Sequence, residues 1–300
     1  MIQMTLEADA ETLCGLADYF IGRGSYSTAL PALEKALQIA PPDMKGPILS
    51  RLAAVRPKVP DPAAWEVLKT VEAISRPNAF VTAGMALWLK TLPFLDDERF
   101  MAVAAKHQRL LPMQNWHWNL ATVLWAVQQT ARVPGDLVEL GVYRGHTTLF
   151  VADYLDFASN SKRWWLYDTF DGIPDDQLNP GWEGINDRLY RGKLSVDDVR
   201  ERFAPFPNID VIQGRVPEIL AEQSPAAISF LHMDLNSAVA EVAALEALFD
   251  RISPGGVVVF DDYCWASARV QYDAEKKWFE ERGLHILPVP TGQGVFVKPV

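Results

Sequence analysis

Acidic residues stand where the apolar runs of this chain stop. Glu139 lies in LVELGV, Asp168 closes RWWLYD, Asp234 closes ISFLHMD and Asp261-Asp262 close GGVVVFDD. Ligands of open parallel sheets bind beyond the carboxyl ends of the strands, so acids at those ends are placed for chemistry. Asp168 can accept both hydroxyls of a ribose, and Asp234 faces the place a substrate would take. Each can instead cap the turn that follows it. Two adjacent carboxylates repel unless a cation or a proton relieves them. With Asp234, the pair Asp261-Asp262 makes an all-oxygen set suited to a hard divalent cation such as magnesium, or all three are solvated turn acids. His232 precedes Asp234 by two residues and projects on the same side of a strand. It is a candidate base, against the alternative of a satisfied core histidine.

The segment LVELGVYRG, residues 137–145, carries Glu139-x-Gly141-x-x-x-Gly145. Glycines after a strand let the backbone approach a ligand, and the helix that follows offers unpaired N–H donors. The spacing is not the G-x-G-x-x-G of dinucleotide sites, so a nicotinamide oxidoreductase lacks its third glycine. The candidate cofactor contacts are Glu139, Gly141, Tyr143, Gly145, Thr147, Asp168 and Gly214, with His146 able to touch the cofactor from the helix start. None of the five histidines has metal-ligand spacing to another, and no G-x-S-x-G elbow or P-loop is present, which leaves hydrolase and NTPase chemistry unsupported.

These residues need a scaffold of strands and helices in alternation. After Pro134-Gly135, β-rich runs at 137–142, 163–168, 209–214, 228–234 and 255–262 alternate with helical patterns at 146–157, 216–223, 239–250 and 268–283. Such alternation predicts a mainly parallel sheet covered on both faces. The last two runs, HILPVP and GVFVKP, flank Thr291-Gly-Gln-Gly294 and predict an antiparallel hairpin at the sheet edge. Residues 171–203 are too long for a plain connection. They read as a lid with Trp182 and Tyr190 as contacts, or as a surface excursion, with Ser195 and Asp198 as a capping box.

The first part of the chain is helical in pattern. Residues 10–43 read as a helix pair, with Leu16, Phe20, Ala29, Leu33, Ala36 and Pro41 near tetratricopeptide-repeat offsets and Gly24 at the turn. No second copy follows, and one unit cannot bury a solenoid core. Prolines at 57, 60 and 62 mark a break. A helical pattern then runs from Ala63 to Arg132, with Trp65, Leu68, Val71 and Ile74 on one face. A further helix from about Gln114 presents Trp118, Thr122, Trp125 and Gln129, a stripe expected in the core. The chain thus divides into 1–56, a helical hairpin; 63–133, a helical connecting region; and 134–300, the α/β domain.

Residues 134–300 hold 26 Asp+Glu against 15 Lys+Arg, so all of the net charge of −10 resides there. That field repels a phosphate backbone and excludes nucleic acid as a partner. The N-terminus has no basic stretch followed by an apolar one, and the longest apolar run, from Phe80, is about half a membrane span. A cytoplasmic protein without membrane contact is expected, with Cys14 and Cys264 as reduced thiols.

The series GDLVELGVYRG, LYDTFDGIP, FLHMD and GGVVVFDDY resembles the macrocin O-methyltransferase family over roughly residues 115–300. The D-x-F-x-G-I-P segment and the strand-final Asp-Asp-Tyr carry the specificity of that resemblance. It implies a Rossmann-like, seven-stranded class I methyltransferase sheet behind an all-helical N-terminal region. It also implies S-adenosyl-L-methionine as cofactor and transfer of its methyl group to a hydroxyl of a small molecule, a sugar of a natural product. The positions matching Asp234, Asp261 and Asp262 bind magnesium in the family, the first also serving as general base, and those matching Glu139 and Asp168 lie at the cofactor. The chain departs from the family after Asp234, reading Leu-Asn236-Ser237-Ala238 where a second acid and a tyrosine are usual. This leaves methylation of a phenol or catechol open, and a catalytically silent cofactor-binding scaffold stands as an alternative from another class. The N-terminal helices have no counterpart in the resemblance and can serve a protein partner or join copies of the chain.

Overall fold

The computed structural model describes residues 9–22, 26–58, 80–82, 85–87, 90–110 and 116–300. They fall into two compact units, residues 1–79 and 80–300. The described residues of the first form three helices, α1 (Ala10–Ile21), α2 (Tyr26–Ile39) and α3 (Pro42–Val55). The Asp9 side chain caps α1 by accepting from Thr12 N. Ala17, Ala29, Leu33, Ala36, Ile48 and Leu52 form the core of the unit, and Arg51 forks onto Asp18 across it. A third helix is thus added to the expected pair. Of the repeat-like positions, Ala29, Leu33 and Ala36 are buried, whereas Leu16 is exposed. Gly24, Pro60, Pro62 and the run through Trp65, Leu68, Val71 and Ile74 lie outside the described residues.

The second unit opens with a hairpin, β1 (Phe80–Thr82) against β2 (Met85–Leu87), where a continuous helical pattern was expected. Val81 and Thr82 are β-branched and Gly84 follows them in sequence, which favours a hairpin over a helix. Helices α4 (Pro93–Asp96), α5 (Glu98–His107) and α6 (His117–Gln129) follow. The tryptophan stripe is not the buried side of α6. Leu120, Val123, Leu124 and Val127 fill the core, while Trp125 is exposed. The aliphatic residues win because they pack closely on the helix after β3 and leave no indole N–H to satisfy.

The alternating region forms β3 (Asp136–Leu140), α7 (His146–Leu155), β4 (Trp164–Asp168), α8 (Glu183–Leu189), α9 (Val196–Phe203), β5 (Ile209–Gln213), α10 (Glu218–Glu222), β6 (Ile228–Met233), α11 (Ala238–Leu248), β7 (Ile252–Phe260), α12 (Arg269–Glu280), β8 (Leu287–Pro288) and β9 (Gly294–Val297). Seven of these strands make one sheet in the order β5-β4-β3-β6-β7-β9-β8, parallel except for β9, which runs antiparallel to both neighbours. β6 is buried at every position, as expected for a central strand covered on both faces. One core cluster packs Leu120, Phe150, Trp164 and Phe230 on one side of the sheet, and another packs Tyr167, Leu231, Leu245 and Phe279 on the other. The chain reverses strand order between β3 and β6, the crevice where α/β sheets bind ligands.

Candidate active site

A cavity of about 360 Å³ opens at that crevice, lined by Gly141, Tyr143, His146, Asp168, Gly214, Asp234, Asn236, Asp261 and Asp262 among others. The glycine loop forms its floor. Gly141 has φ +85, and a Cβ there would sit 1.9 Å from the Asp234 carbonyl oxygen, so only glycine lets β3 and β6 end side by side. Gly145, with φ +74, starts α7 against the Phe203 ring. Three non-glycine residues with left-handed backbones, Tyr143, Phe170 and Asn236, follow the ends of β3, β4 and β6. Such strain persists where surrounding bonds over-determine it.

Asp168 supplies those bonds for two of the three. Its Oδ2 accepts from Val142 N and Tyr143 N, both at 2.8 Å, and its Oδ1 accepts from Phe170 N at 2.7 Å. Burial raises its pKa, and the three backbone donors oppose that rise. Asp168 therefore shapes the glycine loop as well as facing the cavity.

Glu139 does not line the cavity. It is 2% exposed, and its Oε2 accepts from Thr148 Oγ1 at 2.5 Å while Oε1 meets His232 Nδ1 at 2.9 Å. In-register pairing of Glu139 with His232 across β3 and β6 puts both on the same side of the sheet. His232 Nε2 has no hydrogen-bond partner among the described residues and stands 3.6 Å from Asp261 Oδ1, within ion-pair reach. Burial opposes charge on this imidazole, but Asp261 and Glu139 outweigh it and raise the pKa to about 10. His232 is thus a cation held in the wall. In that state the imidazole accepts no proton, and it faces Glu139 and Asp261 and is not part of the cavity lining.

Asp234, Asp261 and Asp262 all reach the cavity. Asp234 is pushed well above the usual carboxylate range by burial and by the charges of Asp261 and Asp262, and Asp262 likewise by burial and Asp261. Burial pushes Asp261 the same way, but His232 holds it below its ordinary value, and Gln293 Nε2 donates to it at 2.8 Å. Among the described residues no group of three or more His, Cys, Asp or Glu is arranged as a metal-holding set.

Gly145 and Thr147 lie outside the cavity lining, and Gly214 lies within it. Trp182 is half-buried away from the lining, whereas Tyr190 is part of it and meets Tyr143 edge-to-face at 5.7 Å. Burial first, then the charges of Asp234 and Asp262, push the Tyr190 phenol well above its ordinary value, so it stays a neutral donor. Leu110, Trp116, Gln177 and Leu194 complete the walls and carry no signal in the sequence. Burial lowers the His146 pKa to about 4, making it the neutral imidazole of the site.

A parallel sheet ordered in this way, with a glycine loop after β3 and acids beyond β4, β6 and β7, is the fold of the class I methyltransferases. The solved O-methyltransferase NovP superimposes with a TM-score of 0.53 at 22% identity, over 61% of this chain and 80% of that one. The macrocin-O-methyltransferase (TylF) family model matches residues 113–285. The chain belongs to that family. It is 32% identical over 146 residues to a tetracenomycin-C rhamnosyl 4'-O-methyltransferase of Streptomyces olivaceus, covering 46% of this chain and 56% of that protein. A mycinamicin III 3''-O-methyltransferase of Micromonospora griseorubida is 29% identical over 148 residues, 46% of this chain and 58% of that protein. The matched part thus spans little more than half the length of these relatives. No helix among the described residues is long and apolar enough to cross a membrane.

Proposed function

We propose that this chain is an S-adenosyl-L-methionine-dependent O-methyltransferase acting on a sugar hydroxyl of a small-molecule natural product. The observation that carries the reading is one cavity joining the Asp168-held glycine loop to the three acids Asp234, Asp261 and Asp262. Family membership and the two O-methyltransferase relatives, one of them named for a rhamnosyl compound, support it.

On this reading the loop at Gly141 and Tyr143, with Asp168 and Gly214, holds the cofactor, which supplies an electrophilic methyl group when bound. The reaction is an in-line displacement, so the main task of the walls is to aim the acceptor oxygen. Asp234 faces that oxygen and takes its proton. Tyr190 and Trp116 shut water out from above.

The donor chemistry of Asp234, Asp261 and Asp262 fits a hard divalent cation, because charge crowding among buried carboxylates is what such an ion relieves. We infer that these three would hold magnesium, which when bound lowers the pKa of a coordinated hydroxyl.

Calorimetric titration of the purified chain with S-adenosylmethionine, with and without magnesium, tests the cofactor. Mass-spectrometric screening of glycosides against catechols then tests the acceptor. Saturable cofactor binding and methylated glycosides are expected. A chain that binds no cofactor under either condition would refute the proposal.

A further inference from the structure

The insertion between β4 and β5 is tied to the acceptor side of the cavity by a buried chain of amides. Asn179 is 3% exposed and uses both ends of its amide. Its Oδ1 accepts from Ala238 N at 3.1 Å, and its Nδ2 donates to the Asn236 carbonyl and to Gln271 Oε1, each at 3.1 Å. Gln271 Nε2 donates onward to the Glu241 carboxylate at 3.2 Å, and Glu241 Oε1 accepts from Leu235 N at 3.1 Å. Ser237 Oγ donates to the Gln177 carbonyl at 2.6 Å. Each of the four residues Leu235 to Ala238 is therefore held from the insertion or from α11 and α12.

What they hold is the left-handed turn at Asn236, with φ +56 and no glycine to ease it. From that turn Asn236 Nδ2 donates to Asp234 Oδ1 at 2.9 Å. The Asp234 carbonyl in turn abuts Gly141 at the floor of the cofactor loop. The turn thus touches both halves of the site.

We propose that Asn179 is a positioning residue: by clamping the Asn236 turn it sets the direction of the Asp234 carboxylate and the seat of the cofactor loop. The inference rests on the methyltransferase reading of this cavity. Loss of the clamp leaves a buried carbonyl and a buried N–H without partners, and the strained turn relaxes toward ordinary backbone. An effect of that size on a wall of the cofactor site corresponds to about a tenfold loss of affinity.

The test uses the whole chain with Asn179→Ala and Asn179→Asp. The aspartate keeps the acceptor for Ala238 N and removes the donor to the Asn236 carbonyl. Asn186→Ala is the comparator, because Asn186 is buried in the same insertion but its side chain bonds only to the backbone of Ile173. S-adenosylhomocysteine is the probe for calorimetry, and hydrogen exchange is followed on the peptide 234–240. Both Asn179 variants should lose about tenfold in affinity and exchange about tenfold faster at 235–240, with β3 and β6 as protected as in the wild type. Asn186→Ala should leave 235–240 unchanged. If Asn179→Asp does not fold, Asn179→Ala decides alone. Affinity within twofold of wild type, or faster exchange spread evenly over the sheet, would show a purely structural residue and overturn the proposal. A wild-type chain that binds no S-adenosylhomocysteine would instead bring down the methyltransferase reading, and the proposal with it.

Discussion

Asp168→Asn is the substitution on which the description of the cofactor loop stands or falls. The carboxylate accepts three backbone N–H bonds, two on Oδ2 and one on Oδ1. An asparagine keeps one oxygen, so it can satisfy the Val142–Tyr143 pair or Phe170, and its NH2 group faces the donor it fails to serve. Bonds to a charged acceptor contribute about 1.5–3 kcal/mol each, and neutral ones about half that. Losing one and weakening two amounts to about 3 kcal/mol, with water from the open cavity offsetting part of it. Tyr143 and Phe170 lose the restraint on their left-handed backbones in the same step. Because the loop forms the proposed cofactor seat, the loss should appear as roughly a hundredfold weaker binding of S-adenosylhomocysteine in calorimetry. The melting temperature should drop by no more than about 6–12 °C, at roughly 2–4 °C per kcal/mol for a domain of this size. Binding within threefold of wild type, with unchanged melting, would refute the argument that Asp168 holds the loop.

Gly141→Ala should abolish soluble folded protein or cost more than about 3 kcal/mol, since its Cβ falls 1.9 Å from a backbone oxygen; a wild-type melting curve would contradict this. Lys162 Nζ donates to the carbonyls of Thr130, Val133 and Gly135 and to Ser229 Oγ at the opposite end of the sheet. Lys162→Met should therefore lower the urea midpoint while leaving S-adenosylhomocysteine affinity unchanged, and a change in affinity alone would be the wrong result. Burial raises the Asp153 pKa, but bonds from Lys106 and His107 outweigh it and hold the carboxyl below its ordinary value. Its stabilising effect is thus present above the unfolded pKa of about 3.9 and lost as pH falls through the lower folded value. Denaturation followed from about pH 5 down to about pH 2 should show a shallower acid limb for Asp153→Asn below the unfolded pKa, and parallel limbs would exclude the pair as a contributor.

The central strands of the sheet were readable because burial on both faces demands apolar runs, as in β6, which is buried at every position, whereas the edge strand β5, IDVIQ, was readable only from its place in the alternation. The terminal hairpin was readable from its glycine turn. Side-chain direction was not, and His232 shows why. Two residues apart on a continuing strand, His232 and Asp234 would share a face. β6 ends at Met233, so Asp234 turns into the cavity while His232 stays in the wall, bonded to Glu139 through a register that only the assembled sheet defines. The same pairing holds the Glu139 side chain outside the cavity lining. Asp168 could be placed at the mouth of the sheet crevice from its position alone, but its three backbone donors come from two loops that the sequence does not bring together. The insertion announced itself by length. Its anchors Gln177 and Asn179 did not, since polar residues in a loop are ordinary until burial makes each of their bonds obligatory.

The charge imbalance noted in the sequence takes on a specific meaning once the cavity is known. Asp168, Asp234, Asp261 and Asp262 line it, and the basic residue in the lining, Arg144, lies over the ring of its own neighbour Tyr143, 5.1 Å from the centroid. A cavity walled by acids with little cationic counterweight attracts cations and repels anions. A sulfonium cofactor carries a positive charge that is lost when its methyl group leaves, so the same field that draws in the reactant weakens its hold on the product. The cation buried in the wall, His232, limits this field by neutralising Glu139 and steadying Asp261. That leaves Asp234 and Asp262 as the carboxylates whose charge is least compensated, and they lie on the side where the acceptor and any divalent ion would bind.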